Sequence, residues 1–109
     1  MNQQILILFL LVMCSCSNQD NRVDVIIKVL NENGDGLPNA QIVLRNIDTV
    51  ITKTTDFAGS LNLVGLKVDD YTIDISYIGY YPLYNYGIII DKNQQIQFEM
   101  NPADLSVPN

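Results

Sequence analysis

The sequence predicts an all-β fold, a seven-stranded β-sandwich, and three observations support that prediction. Short runs alternate apolar and polar side chains with a period of two and are rich in β-branched and aromatic residues. Turn-forming residues separate these runs at intervals of about eight to twelve residues. No window of useful length places apolar residues at helical spacing. With 109 residues, the chain is expected to form one domain.

The predicted strands follow one another along the chain with turns between them. The first places Val25, Ile27 and Val29 on one face. The fifth gives the strongest signal, because Ile73 and Ile75 share one face while polar side chains occupy the other. In the last, apolar side chains recur at every second residue and are expected to point inward. The predicted strands cover residues 22–31, 41–46, 48–55, 60–66, 71–84, 87–90 and 95–100.

The most apolar run of the chain is ILILFLLVM at residues 5–13, and the first charged residue is Asp20. A helix of this length rises about 14 Å, which is far short of the roughly 30 Å core of a bilayer. Its length and N-terminal position are typical of the apolar region of a signal peptide, although MNQQ contributes no Lys or Arg. A buried N-terminal strand or helix is the alternative.

Cys14 and Cys16 are the only cysteines, and Ser15 alone separates them. A disulfide would close a small, strained ring, and a redox pair usually has the spacing C-x-x-C. A zinc site needs four ligands, and the chain has no histidine. The segment resembles the signal sequence of bacterial lipoproteins, in which a small residue precedes an acylated cysteine. Ser15 is small and Met13 is not, so Cys16 is favoured over Cys14 as the lipidated residue.

This resemblance implies cleavage before Cys16 and attachment to a membrane through acyl chains. Each buried methylene contributes about 0.8 kcal/mol, and two or more chains anchor a protein stably. Ser17 rather than Asp after the cysteine favours the outer membrane, as lipoprotein sorting is usually described. The predicted organisation is a signal peptide at residues 1–15, a lipid-anchored tether at 16–22, a β-sandwich at 23–101 and a flexible tail at 102–109.

The charge of the chain argues against two classes of partner. Six basic and 12 acidic residues give a net charge of −6 and a pI near 4.1. Nucleic acid binding is disfavoured, and no nucleic acid partner is predicted, because the sequence has no basic stripe to displace counterions from phosphates. Electrostatic attraction to anionic lipid is disfavoured for the same reason, so any membrane attachment must be hydrophobic.

Three segments occur in an order that resembles the carboxypeptidase regulatory-like domain. They are Gly34 followed by LPNAQIV, TDFAGSLNL at residues 55–63, and LKVDDYTIDISYIGY at residues 66–80. The resemblance implies a transthyretin-like (prealbumin-like) Greek-key sandwich without catalytic activity. Such modules stand beside metallopeptidases and at the front of outer-membrane transporters, but fold alone does not give function.

Within these segments, two glycines and one aspartate are expected to shape turns. Gly59 and Gly79 are predicted at positions with positive φ or close backbone approach. Asp56 is predicted to accept a hydrogen bond from the residue two positions on. Asn39 and Asp70 stand where the family often has glycine.

Two polar clusters are candidate sites of chemistry. The stretch NENGDG begins like a calcium loop, but the twelfth position is Ile42 instead of the bidentate glutamate, so a β-turn is favoured. Asp69 and Asp70 are adjacent and are expected in a solvated turn, because neighbours on a strand would point to opposite faces. No catalytic residue, metal ligand or cofactor is predicted.

Five of the six tyrosines lie in YIGYYPLYNYG, residues 77–87. Tyrosine offers contact area together with a hydroxyl group, which suits the docking of a sugar or a protein. Tyr81, Tyr84 and Tyr86 are therefore predicted to be the exposed residues of any docking surface. The alternative is that Tyr77 belongs to the core and the others cover loops.

These observations together predict a lipid-anchored, non-catalytic module with a binding or scaffolding role at the bacterial cell envelope. Its predicted partners are the membrane, through the N-terminal lipid, and an envelope protein or glycan. The alternative is a carbohydrate- or peptide-binding accessory protein of an outer-membrane uptake or degradation system. A small hydrolase ranks below both.

Overall fold

A computed structural model of the protein describes residues 21–103, which form a two-layer β-sandwich of seven strands. The predicted all-β, seven-stranded fold is confirmed. The strands are β1 (Arg22–Leu30), β2 (Gln41–Arg45), β3 (Val50–Thr54), β4 (Ser60–Lys67), β5 (Asp69–Ser76), β6 (Leu83–Ile90) and β7 (Gln94–Glu99).

The two sheets differ in strand direction. One has the order β4-β1-β7, with β1 antiparallel to β4 and parallel to β7. The other has the order β3-β2-β5-β6 and is antiparallel throughout. The sheets bury their alternating apolar faces against each other, as the period-two pattern requires. The large apolar side chains buried most completely are Val25, Ile27, Val29, Ile42, Leu44, Ile73, Ile75 and Ile90.

The turn segments predicted from single residues are confirmed. Gly59 and Gly79 have φ values of 80° and 86°. Asp56 Oδ1 accepts a hydrogen bond from the Ala58 N–H at 2.9 Å. Asn39, where the family often has glycine, has a φ of 60°, a left-handed conformation that asparagine tolerates better than most residues.

Two strand predictions were wrong in the same region. The predicted strand 71–84 is two strands, because β5 ends at Ser76 and β6 begins at Leu83. Between them the Tyr80 N–H donates to the Tyr77 carbonyl at 3.1 Å, closing a turn at which Gly79 has positive φ. The predicted strand 87–90 is therefore only the end of β6.

The aspartate pair also lies in a strand and not in a turn. Asp69 and Asp70 begin β5, where they pair with Ile90 and Ile89 of β6. Hydrogen bonding to β6 overrides the local preference of aspartate for turns, which is a tertiary effect.

The ends of the sandwich differ slightly from the predicted limits. β1 begins at Arg22, one residue inside the predicted tether. Pro102 forms a β-bridge with Tyr80, and the Ala103 N–H donates to the Gly79 carbonyl at 2.9 Å. These two residues of the predicted tail are thus held by the domain. The predicted signal peptide at residues 1–15, which includes Cys14, and the predicted lipidation site Cys16 lie outside the described residues. Within residues 21–103, no helix is long and apolar enough to cross a membrane.

Candidate functional site

A β-bulge in β6 places Tyr84 and Tyr86 on opposite faces of the sheet. Ile73 of β5 pairs with Tyr86, whereas Ile75 pairs with Leu83, so β6 contains one extra residue between these pairs. Asn85, inside the bulge, has a φ of 54°. The extra residue reverses the alternation of side chains. Tyr84 therefore lies on the outer face and Tyr86 on the inner face.

The bulge is held by Asp74, on the outer face of β5. Asp74 Oδ1 accepts a hydrogen bond from the Asn85 N–H at 2.8 Å, and Oδ2 accepts one from Arg45 Nη1 at 2.7 Å. Arg45 Nη2 also donates to Asn85 Oδ1 at 2.9 Å. The hydrogen bond from Arg45 is the largest cause that lowers the pKa of Asp74, and the hydrogen bond from the Asn85 N–H is the next largest. The hydrogen bond to Asp74 in turn raises the pKa of Arg45.

Asp74→Asn is expected to destabilise the protein in a pH-dependent way. The folded-state pKa of Asp74 is lowered. The contribution of Asp74 to the free energy of unfolding is therefore fully present above the ordinary carboxyl pKa of about 3.9, and it is lost as the pH falls through the lower folded-state pKa. The thermal midpoint of the variant should lie below that of the wild type at neutral pH, and the gap should close in acid. Asp48→Asn, on the exposed turn between β2 and β3, controls for the lost charge. A gap that stays constant with pH would contradict the role given to Asp74.

Tyr81 and Tyr86 line a cleft of about 370 Å³ between the edges of the two sheets. This edge cleft lies where β6 of one sheet faces β7 of the other. Its central contact joins Tyr86 to Phe98, whose rings meet edge to face with centroids 5.5 Å apart, a favourable aromatic geometry. The other lining residues are Ile75, Pro82, Leu83, Ile96, Gln97, Glu99, Met100 and Asn101.

Tyr84 belongs to a different surface. It lies with Pro38 and Tyr80 on an open outer depression at the end of the sheet. Tyr81, Tyr84 and Tyr86 are 56%, 66% and 50% exposed. All three are therefore accessible, as predicted, but the structure brings only Tyr81 and Tyr86 together.

The remaining tyrosines of the cluster are more enclosed. Tyr77 and Tyr80 are partly buried against the core, with ring centroids 5.6 Å apart. The Tyr80 hydroxyl donates to Glu32 Oε1 at 3.3 Å. Partial burial, and next the negative charge of Glu32, raises the pKa of Tyr80. These two rings pack against each other at the turn between β5 and β6.

Sequence reasoning missed a further depression, which lies on the outer face of the sheet beside β6. This outer groove, of about 710 Å³, has Thr72 and Gly87 as a cross-strand pair on its floor. Exposed Ile47 and Ile89 flank it. The signal was present in YGIII, where a glycine interrupts an otherwise bulky edge strand.

The polar clusters considered for chemistry have structural roles. Asn31 Oδ1 accepts hydrogen bonds from the N–H groups of Asn33 and Asp35, at 2.8 and 2.9 Å, so NENGDG folds as a turn. Asp69 accepts from Asn46 Nδ2 at 3.0 Å and from the Asp70 N–H at 2.8 Å. Over the part of the chain that the structure describes, no group of three or more His, Cys, Asp or Glu residues is placed to hold a metal ion.

The fold and its edge define a small β-sandwich module that presents an aromatic cleft and an apolar groove on the two sides of one strand. The chain belongs to the carboxypeptidase regulatory-like domain family, whose profile matches residues 24–101. This match confirms the family resemblance carried by Gly34, TDFAGSLNL and the segment that ends at Tyr80. No curated protein matches the sequence.

Solved structures share the fold at low sequence identity. The Bacillus anthracis TIE protein is 17% identical with a TM-score of 0.66, and the match covers 74% of this chain and 16% of that one. A minor pilin of Streptococcus agalactiae is 18% identical with a TM-score of 0.60, covering 83% and 49%. A proposed carbohydrate-binding protein from Bacteroides uniformis is 14% identical with a TM-score of 0.55, covering 74% and 41%. This chain thus spans less than half of each of these structures.

Proposed function

We propose that the chain is a lipid-anchored, non-catalytic module with a binding or scaffolding role at the bacterial cell envelope. The observation that carries the proposal is the edge cleft, where the ring of Tyr86 contacts Phe98 of the opposite sheet and the exposed Tyr81 lines the same cleft. Its volume of about 370 Å³ lies within the roughly 300–1,000 Å³ of known ligand pockets. Aromatic side chains at such a site are typical of interaction surfaces.

The anchor is proposed from the N-terminal sequence. The apolar run at residues 5–13 and Ser15 before Cys16 support lipidation of Cys16. A net charge of −6 opposes adsorption to anionic lipid, so acyl chains would supply the attraction. Ser17 supports the outer membrane as the destination.

The edge cleft also supports a narrower alternative, a carbohydrate- or peptide-binding accessory protein of an outer-membrane uptake or degradation system. Gln97, Glu99 and Asn101 add polar residues to the lining that contains the aromatic rings, a combination that suits a ligand with both apolar and hydrogen-bonding faces. The likeness in fold to the proposed carbohydrate-binding protein is compatible with this alternative.

Fractionation combined with cross-linking in the native host tests both parts of the proposal. Cys16→Ala should move the protein out of the membrane fraction, because its acyl chains are lost, whereas Cys14→Ala should leave it there. Joint replacement of Tyr81 and Tyr86 by Ser should keep the protein at the membrane but remove its cross-linked partner. Tyr84→Ser is the matched control on the other face of the bulge.

The anchor and the binding site can be contradicted separately. A Cys16→Ala protein that stays in the membrane fraction, or a mature wild-type protein that is freely soluble, would remove the anchor. Unchanged cross-linking in the double tyrosine variant would remove the edge cleft as the binding site. Circular dichroism of each variant establishes that the sandwich is folded.

A further inference from the structure

Within residues 21–103, four strands lie at sheet edges, and β6 is the only one of these four without a charged residue. The sheet orders place β4 and β7 at the edges of one sheet, and β3 and β6 at the edges of the other. Lys53 lies in β3, Lys67 in β4 and Glu99 in β7, whereas β6 reads LYNYGIII. Proteins commonly place charges on edge strands to prevent pairing with other chains. Within the described sandwich, the regular stretch of β6 from Tyr86 to Ile90 carries neither such a charge nor the β-bulge, which lies at Asn85.

The central part of β6 directs backbone hydrogen-bonding groups away from its own sheet. The Ile89 carbonyl accepts a hydrogen bond from Gln94 Nε2, on β7 of the other sheet, at 3.3 Å. That carbonyl therefore points away from β5. The register is regular from Tyr86 to Ile90, so Gly87, two residues before Ile89, directs its N–H and C=O to the same open side. An added strand would find hydrogen-bonding partners at Gly87.

Both sides of this strand have room for side chains of an added strand. Side chains of an extended peptide alternate between the two faces of a sheet. On the inner side they would meet the edge cleft beside Tyr86 and Phe98. On the outer side they would meet the outer groove, where a Cβ at Gly87 would have no heavy atom within 4 Å. Because Gly87 has no side chain, the side chain of the peptide residue that pairs with Gly87 would have space on the outer face.

Carboxylates at these two depressions select the charge of the peptide. Asp70 is exposed at the outer groove, and Glu99, the exposed residue that follows Phe98 on β7, contributes to the lining of the edge cleft. Arg45, the one basic residue of the outer groove, is already paired with Asp74 at 2.7 Å. Local negative charge favours a basic ligand and disfavours an acidic one.

We infer that β6 accepts an extended, basic segment of a partner polypeptide as an additional strand of the four-stranded sheet. The inference rests on the proposed function and specifies its partner. Main-chain hydrogen bonds at Gly87 would supply affinity, and the two depressions would select apolar and basic side chains at alternate positions.

The test uses the full chain in detergent and the synthetic peptide acetyl-KVKVKVKVK-amide as the probe. At saturation, amide hydrogen exchange of the segment from Tyr86 to Ile89 should slow about tenfold or more, because new main-chain hydrogen bonds protect it. The same peptide with Glu in place of every Lys, or with Pro at its centre, should bind at least about tenfold more weakly.

A matched pair of variants locates the contact. Ile89→Lys puts a gatekeeper charge on β6 and should weaken peptide binding about tenfold or more. Val50→Lys puts the same charge on β3, the other edge of the same sheet, and should change binding less than about twofold. The two residues have similar exposures of 67% and 64%, so both variants are expected to fold.

Three results would overturn the inference. One is peptide binding without added protection at Gly87, and a second is equal weakening by the two lysine variants. The third is binding of a neutral oligosaccharide such as cellohexaose, but not of the peptide, which would assign the edge cleft to glycan. In each case the proposed function stands if the tyrosine-dependent cross-link in cells persists. A cross-link in cells that does not depend on Tyr81 and Tyr86 would instead contradict the proposed function itself.

Discussion

Gly59→Ala is expected to destabilise the sandwich by at least about 3 kcal/mol, or to prevent folding, as substitutions that combine backbone strain with steric overlap do. Gly59 has a φ of 80°, a conformation that costs an L-residue about 1–2 kcal/mol. An added Cβ would lie 2.7 Å from Leu37 N and 2.7 Å from Val29 O. Those two atoms form a hydrogen bond 2.9 Å long. The methyl group would therefore be forced against backbone that cannot rotate away.

Gly79→Ala is the matched control for this prediction. Gly79 has a φ of 86°, but a Cβ there would have no heavy atom within 4 Å. Only the cost of the left-handed backbone applies, about 1–2 kcal/mol. Chemical denaturation of both variants measures the difference. Equal losses of unfolding free energy would show that the close packing at Gly59 contributes nothing.

Thr55→Val is expected to cost about 2–4 kcal/mol, because it leaves two buried backbone groups without hydrogen bonds. Thr55 is 2% exposed. Its hydroxyl donates to the Leu37 carbonyl at 2.6 Å and accepts from the Ala40 N–H at 2.9 Å. Valine has nearly the same shape but can make neither hydrogen bond. The segment that leads from β1 into β2 would keep only its backbone hydrogen bonds to Thr55, from the Asn39 N–H and to the Ala40 carbonyl.

Two further variants separate the hydroxyl group from the shape of the side chain. Thr55→Ser keeps the hydroxyl and should retain most of the stability that Thr55→Val loses. Thr54→Val, at an exposed position of β3, should lie within about 0.5 kcal/mol of the wild type. The thermal midpoint and the unfolding free energy provide the comparison. A Thr55→Val protein as stable as Thr54→Val would contradict the role of the buried hydroxyl.

The core of the sandwich could be predicted from the sequence because it depends on local alternation. Val25, Ile27 and Val29 repeat every second residue, and all three are fully buried. Gly59 and Gly79 were likewise predictable, because positive φ is a property of the turn that contains them. The limits of β5 and β6 were harder to predict from the sequence, because Asp69 and Asp70 join β5 through pairing with a strand that follows later in the chain.

The candidate site depended on interactions that the local sequence does not contain. Tyr84 and Tyr86 are two residues apart and, in a regular strand, would share a face. Asp74 of β5 and Arg45 of β2 hold the extra residue Asn85 in the bulge, and this separates the two tyrosines. The local sequence LYNYGIII contains no pattern that predicts hydrogen bonds to Asp74 and Arg45.

The sequence by itself determined the all-β class, the apolar face of each main strand, the turn glycines and the family. These features follow from residue-level propensities and from the period of two that burial on one face imposes. Only the tertiary structure decided that Tyr81 and Tyr86 share a cleft with Phe98 while Tyr84 faces outward. It also decided that β6 is a sheet edge. Both results depend on which strands become neighbours, and strand neighbours are set by packing between distant segments of the chain.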